Sequence, residues 1–392
     1  MKSSSEPLYG KNVEPVEAPV QKEEAFLAEL IQVDLLVRAA EARSLFNVDG
    51  DGTTVAVLDT GLRTTHVDFA GRVLPGRNFT PDNGGDPADP SDGQGHGTNV
   101  SGIICAGDIH IGIAPGARIV PIKVLGNNGG GNFAGIRDAL QWVIDHHGEH
   151  GISAVCMSLG DGGNYQDDQS FPGDAIGSRM RALADLGIVC CVAAGNDYHS
   201  HNSVQGMGYP AIFRETLSVG AVYDNDEGSF SYQSGAVAFS TAPDRITPFS
   251  QRLHAKVGAE CATDIFAPGA PVTSSGILND QGESIQHGTS QATPVITGVV
   301  LLLQALHKRL TGNLPPVADV MRWLEQGAAT IQDGDDEHDN VLHTGLAFHR
   351  VDAVSALLAC AHDALKCELM AAGCGLRPIE APRPAMHHQP AA

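Results

Sequence analysis

The apolar positions of this chain fall into two rhythms that take turns. Over residues 22–46, Ala25, Leu27, Leu30, Ile31, Leu35, Leu36, Ala39 and Ala40 recur at the three- and four-residue spacing of one amphipathic helix. Asp49-Gly50-Asp51-Gly52 reads as a turn, and the β-branched run after it, residues 53–58, reads as a buried strand that ends in Asp59-Thr60-Gly61. Short apolar runs then alternate with helical segments: 119–124 and 134–146, 154–157 and 173–186, then 188–194 and 217–222. This alternation predicts an α/β fold of three layers, a mostly parallel central sheet flanked by helices. Sites in such sheets form at the C-terminal ends of strands. Three of these strands end in Asp59, in Ser158-Leu159-Gly160 and in Gly195-Asn196.

The longest apolar run, residues 295–303, is too short to cross a bilayer and reads as a core helix. Residues 223–248, rich in Ser, Asp and Gly, read as a loop insertion, after which 264–269 return the chain to the sheet. The pattern fades beyond Ala359. The chain therefore divides into an N-terminal extension (1–32), which begins as a proline-bearing extended tail, a main domain (33–359), and a helix remnant with a disordered tail (360–392).

Composition narrows the field. With 42% hydrophobic residues in 392, there is enough apolar surface for a sizeable core. A net charge of −22 argues against nucleic acid, whose phosphates need Lys and Arg, and against an anionic membrane surface. Met1-Lys2-Ser3-Ser4-Ser5-Glu6-Pro7 has no apolar core of a secretory signal, which points to the cytoplasm or to export by a signal-independent route. The eight cysteines form no C-x-x-C pair, so free thiols in a reducing compartment are the simplest account.

Candidate chemistry gathers in three places. Ser290, in His287-Gly288-Thr289-Ser290, opens the apolar helix, where unpaired N–H groups favour developing negative charge; alone, it would read as an ordinary capping serine. His96 sits between glycines in Gly95-His96-Gly97-Thr98, and Asp59 ends the first strand. Their order along the chain is Asp, His, Ser. Together these segments resemble the subtilisin-like serine proteases, over roughly residues 33–358.

The resemblance implies a subtilisin-like fold and a Ser290, His96, Asp59 triad that hydrolyses polypeptides through an acyl-enzyme with no organic cofactor. Ala193-Ala194-Gly195-Asn196 resembles the segment that supplies the oxyanion-hole asparagine, Asn196. Leu125 and Gly126, at the head of a glycine-rich stretch ending at Gly131, and Ser158, Leu159 and Gly160 resemble the two edges between which an extended peptide adds as a strand, with broad specificity. Gly208 resembles the back of the S1 pocket and implies room for a large apolar side chain. Asp161 would either favour a basic residue there or be a solvated loop carboxylate. Asp68 resembles a family calcium ligand, Asp82, Asp86, Asp89 and Asp92 crowd the loop before His96, and the acidic run 333–339 is a weaker calcium candidate.

Asn99 and Gln291 depart from the family, standing where a second histidine and a methionine are usual. The missing signal and short extension are most similar to the intracellular branch, which implies an inhibitory N-terminal extension acting as a short propeptide, bound calcium and a homodimer. The rival reading is a catalytically silent peptide-binding scaffold of the same fold, for which a complete triad would have no use.

Overall fold

The computed structural model describes residues 30–371. The N-terminal tail, Cys374 and residues 376–392 lie outside the described residues. The amphipathic stretch enters as two helices, α1 (Leu30–Val37) and α2 (Ala39–Phe46), because Arg38 takes the left-handed conformation at φ 60°. Arg38 is held there by Glu41 at 2.8 Å and Asp352 at 3.0 Å. The bend lets Ala39 and Ala42 stay buried while Ile31 and Leu35 face solvent, which one straight helix would not allow.

Five strands then carry the chain through the middle of the fold: β1 (Thr54–Asp59), β2 (Arg77–Asn78), β3 (Arg118–Lys123), β4 (Ala154–Met157) and β5 (Val189–Ala193). They alternate with α3 (His96–Cys105), α4 (Phe133–His150) and α5 (Ala175–Asp185). After β6 (Leu217–Tyr223) come β7 (Phe230–Ser231), β8 (Val237–Ser240), the short α6 (Ala255–Gly258), β9 (Ile265–Ala270), β10 (Val272–Ser275) and β11 (Glu283–Gln286). The described residues end with α7 (Thr289–Thr311), α8 (Val317–Gly327), β12 (Ala329–Gln332), β13 (His338–Asp339), β14 (Ala347–Arg350) and α9 (Ala353–Ala371).

The main sheet has nine strands in the order β12-β14-β9-β6-β5-β4-β1-β3-β2, parallel throughout except for the β12–β14 edge pair. All six residues of β1 are buried, as a strand covered on both faces requires. Val55 and Val57 join the core beneath α3, α7 and α9, whereas Ala56 and Leu58 join the one beneath α4 and α5. This is the three-layer α/β architecture the alternation predicts. The order reverses at β1, which lies between β3 and β4, so a crevice opens at the C-terminal end of β1.

Two expectations need correction. Residues 223–248 are not a plain loop: β7 and β8 pair antiparallel and β13 completes a three-stranded sheet with them. Helix α7 is long and apolar enough to span a bilayer, since it begins well before residue 295; burial within the protein, from Thr289 to Leu306, makes it a core helix. Helix α9 continues past Ala359, where a helix remnant is expected, and Cys360 and Ala364 are buried.

Candidate active site

Asp59 is the last residue of β1 and His96 the first of α3, and their side chains meet with His96 Nδ1 2.7 Å from Asp59 Oδ1. A carboxylate beside Nδ1 can only accept, so that nitrogen carries the proton and Nε2 keeps its lone pair. Nε2 is buried and has no hydrogen-bond partner among the described residues. Burial pushes the His96 imidazole down, but the Asp59 charge and hydrogen bond, with Asp92 behind them, outweigh it and leave its pKa above the ordinary histidine value. Close approach of the strand end to the helix needs Gly97, where a Cβ would lie 2.3 Å from the Gly61 carbonyl oxygen.

Two further residues shape the site: Lys123, which sequence reading passed over, and Asp92, which it grouped with the calcium candidates of the loop before His96. Asp92 accepts from Thr60 Oγ1 and the Gln94 and Gly95 amides on one oxygen, and from the Thr98 amide and Oγ1 on the other, fixing the turn that carries His96. Lys123 pairs in register with Asp59 and is fully buried, its ammonium donating to the Thr60 carbonyl and to Asn127 Oδ1. Its one visible signal was a cation at the end of an otherwise apolar run.

Ser290 stands in the first turn of α7. Pro294 has no N–H to offer the carbonyl four residues back, and that carbonyl, Ser290 O, accepts from Ser158 Oγ at 2.7 Å instead. Ser290 Oγ in turn donates to the Ser158 carbonyl at 3.1 Å. The Asp–His half of the constellation is therefore formed, while the Ser290 hydroxyl makes no bond to His96. Asn196 Oδ1 accepts from the Thr289 amide and Oγ1, both at 2.9 Å, which turns the Asn196 amide nitrogen away from Thr289.

The two proposed peptide edges differ. Gly126 donates to Gly130 O and accepts from the Gly129 amide, so its backbone is spent inside a tight turn that also pairs Leu125 with Gly131. Leu159 and Gly160 make no backbone hydrogen bond among the described residues, which leaves that edge open. Gly208 donates to the Ala194 carbonyl at 2.8 Å, fixing it beside the Gly195-Asn196 segment. Asp161 is part-buried and held in place, accepting from the Gly163 amide (2.7 Å), the Tyr209 amide (3.0 Å) and Tyr165 Oη (2.8 Å).

Calcium does not fit Asp68. Its Oδ1 accepts from the Ile109 and His110 amides and its Oδ2 from His110 Nδ1 (2.7 Å) and Ser275 Oγ (2.6 Å), a full set of donors where a cation would need lone pairs. Burial alone would raise this carboxyl, but the bonds to His110 and Ser275 bring its pKa down to about 2. Asp333, Glu337 and His343 lie within reach of a common ion, as do Asp335, Asp336 and Glu337. Arg252 at 2.6 Å already neutralises the buried Asp333, and Arg245 at 3.2 Å pairs with the exposed Asp336.

Residues 50–341 match the family model described as "Subtilase family". The chain is 32% identical over 275 residues to an intracellular serine protease of Paenibacillus polymyxa, covering 69% of this chain and 72% of that one. It is 30% identical over 262 residues to the major intracellular serine protease of Bacillus subtilis (66% and 70%), and 29% identical over 336 residues to the serine protease AprX of the same organism (77% and 68%).

Proposed function

The chain belongs to the subtilase family and is a subtilisin-like serine endopeptidase, and from that premise we propose that Asp59, His96 and Ser290 form its catalytic triad. The carrying observation is the 2.7 Å Asp59–His96 bond, which leaves His96 Nε2 buried and unpaired as the group able to accept a proton. Rotation of the Ser290 hydroxyl away from the Ser158 carbonyl would let it give its proton to Nε2 and attack the scissile carbonyl. The Asn196 amide nitrogen and the Ser290 N–H would then hold the oxyanion, and water would release the acyl-enzyme.

The open Leu159-Gly160 edge supports strand-like binding of polypeptide with broad specificity, and glycine at 208 supports a large apolar side chain at P1. We assign the protein to the cytoplasm. Two relatives bear "intracellular" in their names, and Cys105, Cys156, Cys190, Cys191, Cys261 and Cys360 are all free and buried. Leu30 and Val33 at one end and Cys360 and Ala364 at the other pack into the core, which supports a peptidase unit somewhat wider than residues 33–359.

An active-site serine probe tests the reading. Labelling confined to Ser290 and abolished by Ser290→Ala is expected; a protein that binds peptides yet never labels would be the silent scaffold.

A further inference from the structure

The three nearest neighbours of a side chain entering beside Gly208 would all be oxygen atoms. A Cβ built on Gly208 would lie 3.5 Å from Ala194 O, 3.7 Å from Asp161 Oδ1 and 3.8 Å from Gln251 Oε1, with nothing nearer. The first of these already accepts from the Gly208 amide and the second from the Gly163 and Tyr209 amides. The third accepts from nothing among the described residues, although Gln251 is fully buried.

The orientation of that amide is fixed by carbonyls that cannot flip. Val204 O is an acceptor, so the Asn164 group facing it at 3.1 Å is Nδ2, which turns Asn164 Oδ1 toward Gln251. Gln251 Nε2 donates to that oxygen at 2.7 Å and to the Gly163 carbonyl at 3.0 Å. Gln251 Oε1 must then face the other way, over Gly195, where a Cβ would come within 1.9 Å of it. Only glycine at 195 admits the oxygen, and a Cα–H is a poor substitute for a true donor. The backbone of Gln251 is pinned to the same wall, its amide donating to Gly195 O at 2.9 Å.

We infer that Gln251 is a specificity-determining residue whose Oε1 accepts a hydrogen bond from the tip of the P1 side chain, so that the pocket selects a large side chain ending in an O–H or N–H donor. This rests on the reading of Gly208 as the back of the S1 pocket. A buried acceptor kept without a partner discriminates most strongly against a ligand that fills the same space and brings no donor. Tyrosine answers the description and phenylalanine does not.

The test is kcat/KM on one peptide series varied only at P1. Tyrosine and 4-aminophenylalanine are expected to exceed phenylalanine and 4-fluorophenylalanine by about 10-fold, the worth of one buried hydrogen bond. In Gln251→Met the tyrosine-to-phenylalanine ratio should fall to about one, whatever the variant's absolute rate. Should the wild type cleave all four aromatic residues equally and well above alanine, the pocket reading stands and the role of Gln251 is overturned. Should alanine be the preferred P1 residue, Gly208 does not open an S1 pocket and both readings fall. The analogue series needs no variant, so an unstable Gln251→Met still leaves the inference decided.

Discussion

Gln291 Nε2 donates to Asn99 Oδ1 across 3.3 Å, tying the first turn of the histidine helix to the first turn of the serine helix. Asn99 Nδ2 is held by the Ser284 carbonyl at 2.9 Å, which leaves Asn99 Oδ1 free to face Gln291. The clamp between α3 and α7 thus consists of two neutral amides, neither titratable nor readily oxidised, where the family more often has a histidine and a methionine.

Oxidation should therefore spare the nucleophile. The wild type is expected to keep its activity through mild peroxide treatment, whereas Gln291→Met should lose most of its activity as a thioether beside Ser290 becomes a sulfoxide. Residual activity with mass-spectrometric mapping reads this. Rapid inactivation of the wild type with modification next to Ser290 would contradict it.

The acid limb of kcat/KM should report His96, which must be neutral to accept the proton. Because its pKa lies above the ordinary 6.5, activity should fall as pH drops through a point higher than that value. Asp92 contributes to the upward shift, so Asp92→Asn should move the limb toward lower pH in the same assay. Asp59→Asn should cost about 10⁴-fold in kcat by stabilising the wrong tautomer. A limb below 6.5 in the wild type would place the base elsewhere.

Asp68 should behave as a structural anion. Asp68→Asn is expected to destabilise the fold by about 2–3 kcal/mol near neutral pH, and by the same amount with calcium present or chelated. Its depressed pKa gives stability that is complete above about pH 4 and lost as pH falls toward 2. His110, raised above 6.5 by Asp68 and Glu283 in spite of burial, contributes below about pH 6.5 and ceases to as pH rises through its folded value. Denaturant melts with and without calcium decide the matter; a calcium-dependent loss confined to the wild type would restore Asp68 as a ligand.

Much of this was legible because it is local. Strand alternation, a carboxylate at the end of residues 53–58 and a serine opening an apolar run can each be read within a few residues. What could not be read depends on distant partners. Whether Asp68 meets calcium or protein is decided by His110 and Ser275, and whether Asp161 is free is decided by Tyr209. Gln251 looked like any polar residue near a phenylalanine, since its open oxygen follows from the direction in which Gly163 and Val204 present their carbonyls. The break at Arg38 leaves the helical spacing intact, so periodicity could not reveal it.

The residues inserted after β6 make one more feature testable. Phe230 and Tyr232 fold over His287, three positions before Ser290, with ring centroids 4.8 and 5.7 Å from its imidazole and Tyr232 Oη 3.3 Å from Nδ1. Burial in this aromatic cage pushes the His287 pKa down to about 3. The unfolded chain binds a proton there below about pH 6.5 and the folded protein does not until about 3, so stability must fall with pH across that interval. Between pH 7.5 and 5.0 the term amounts to about 2 kcal/mol. His287→Asn removes the titrating group, and it should lose about that much less stability than the wild type over the same span, whatever its absolute stability. Urea melts at the two pH values measure the difference. Equal losses in the two proteins would mean that His287 is protonated within the fold, and the cage would then have to open to water.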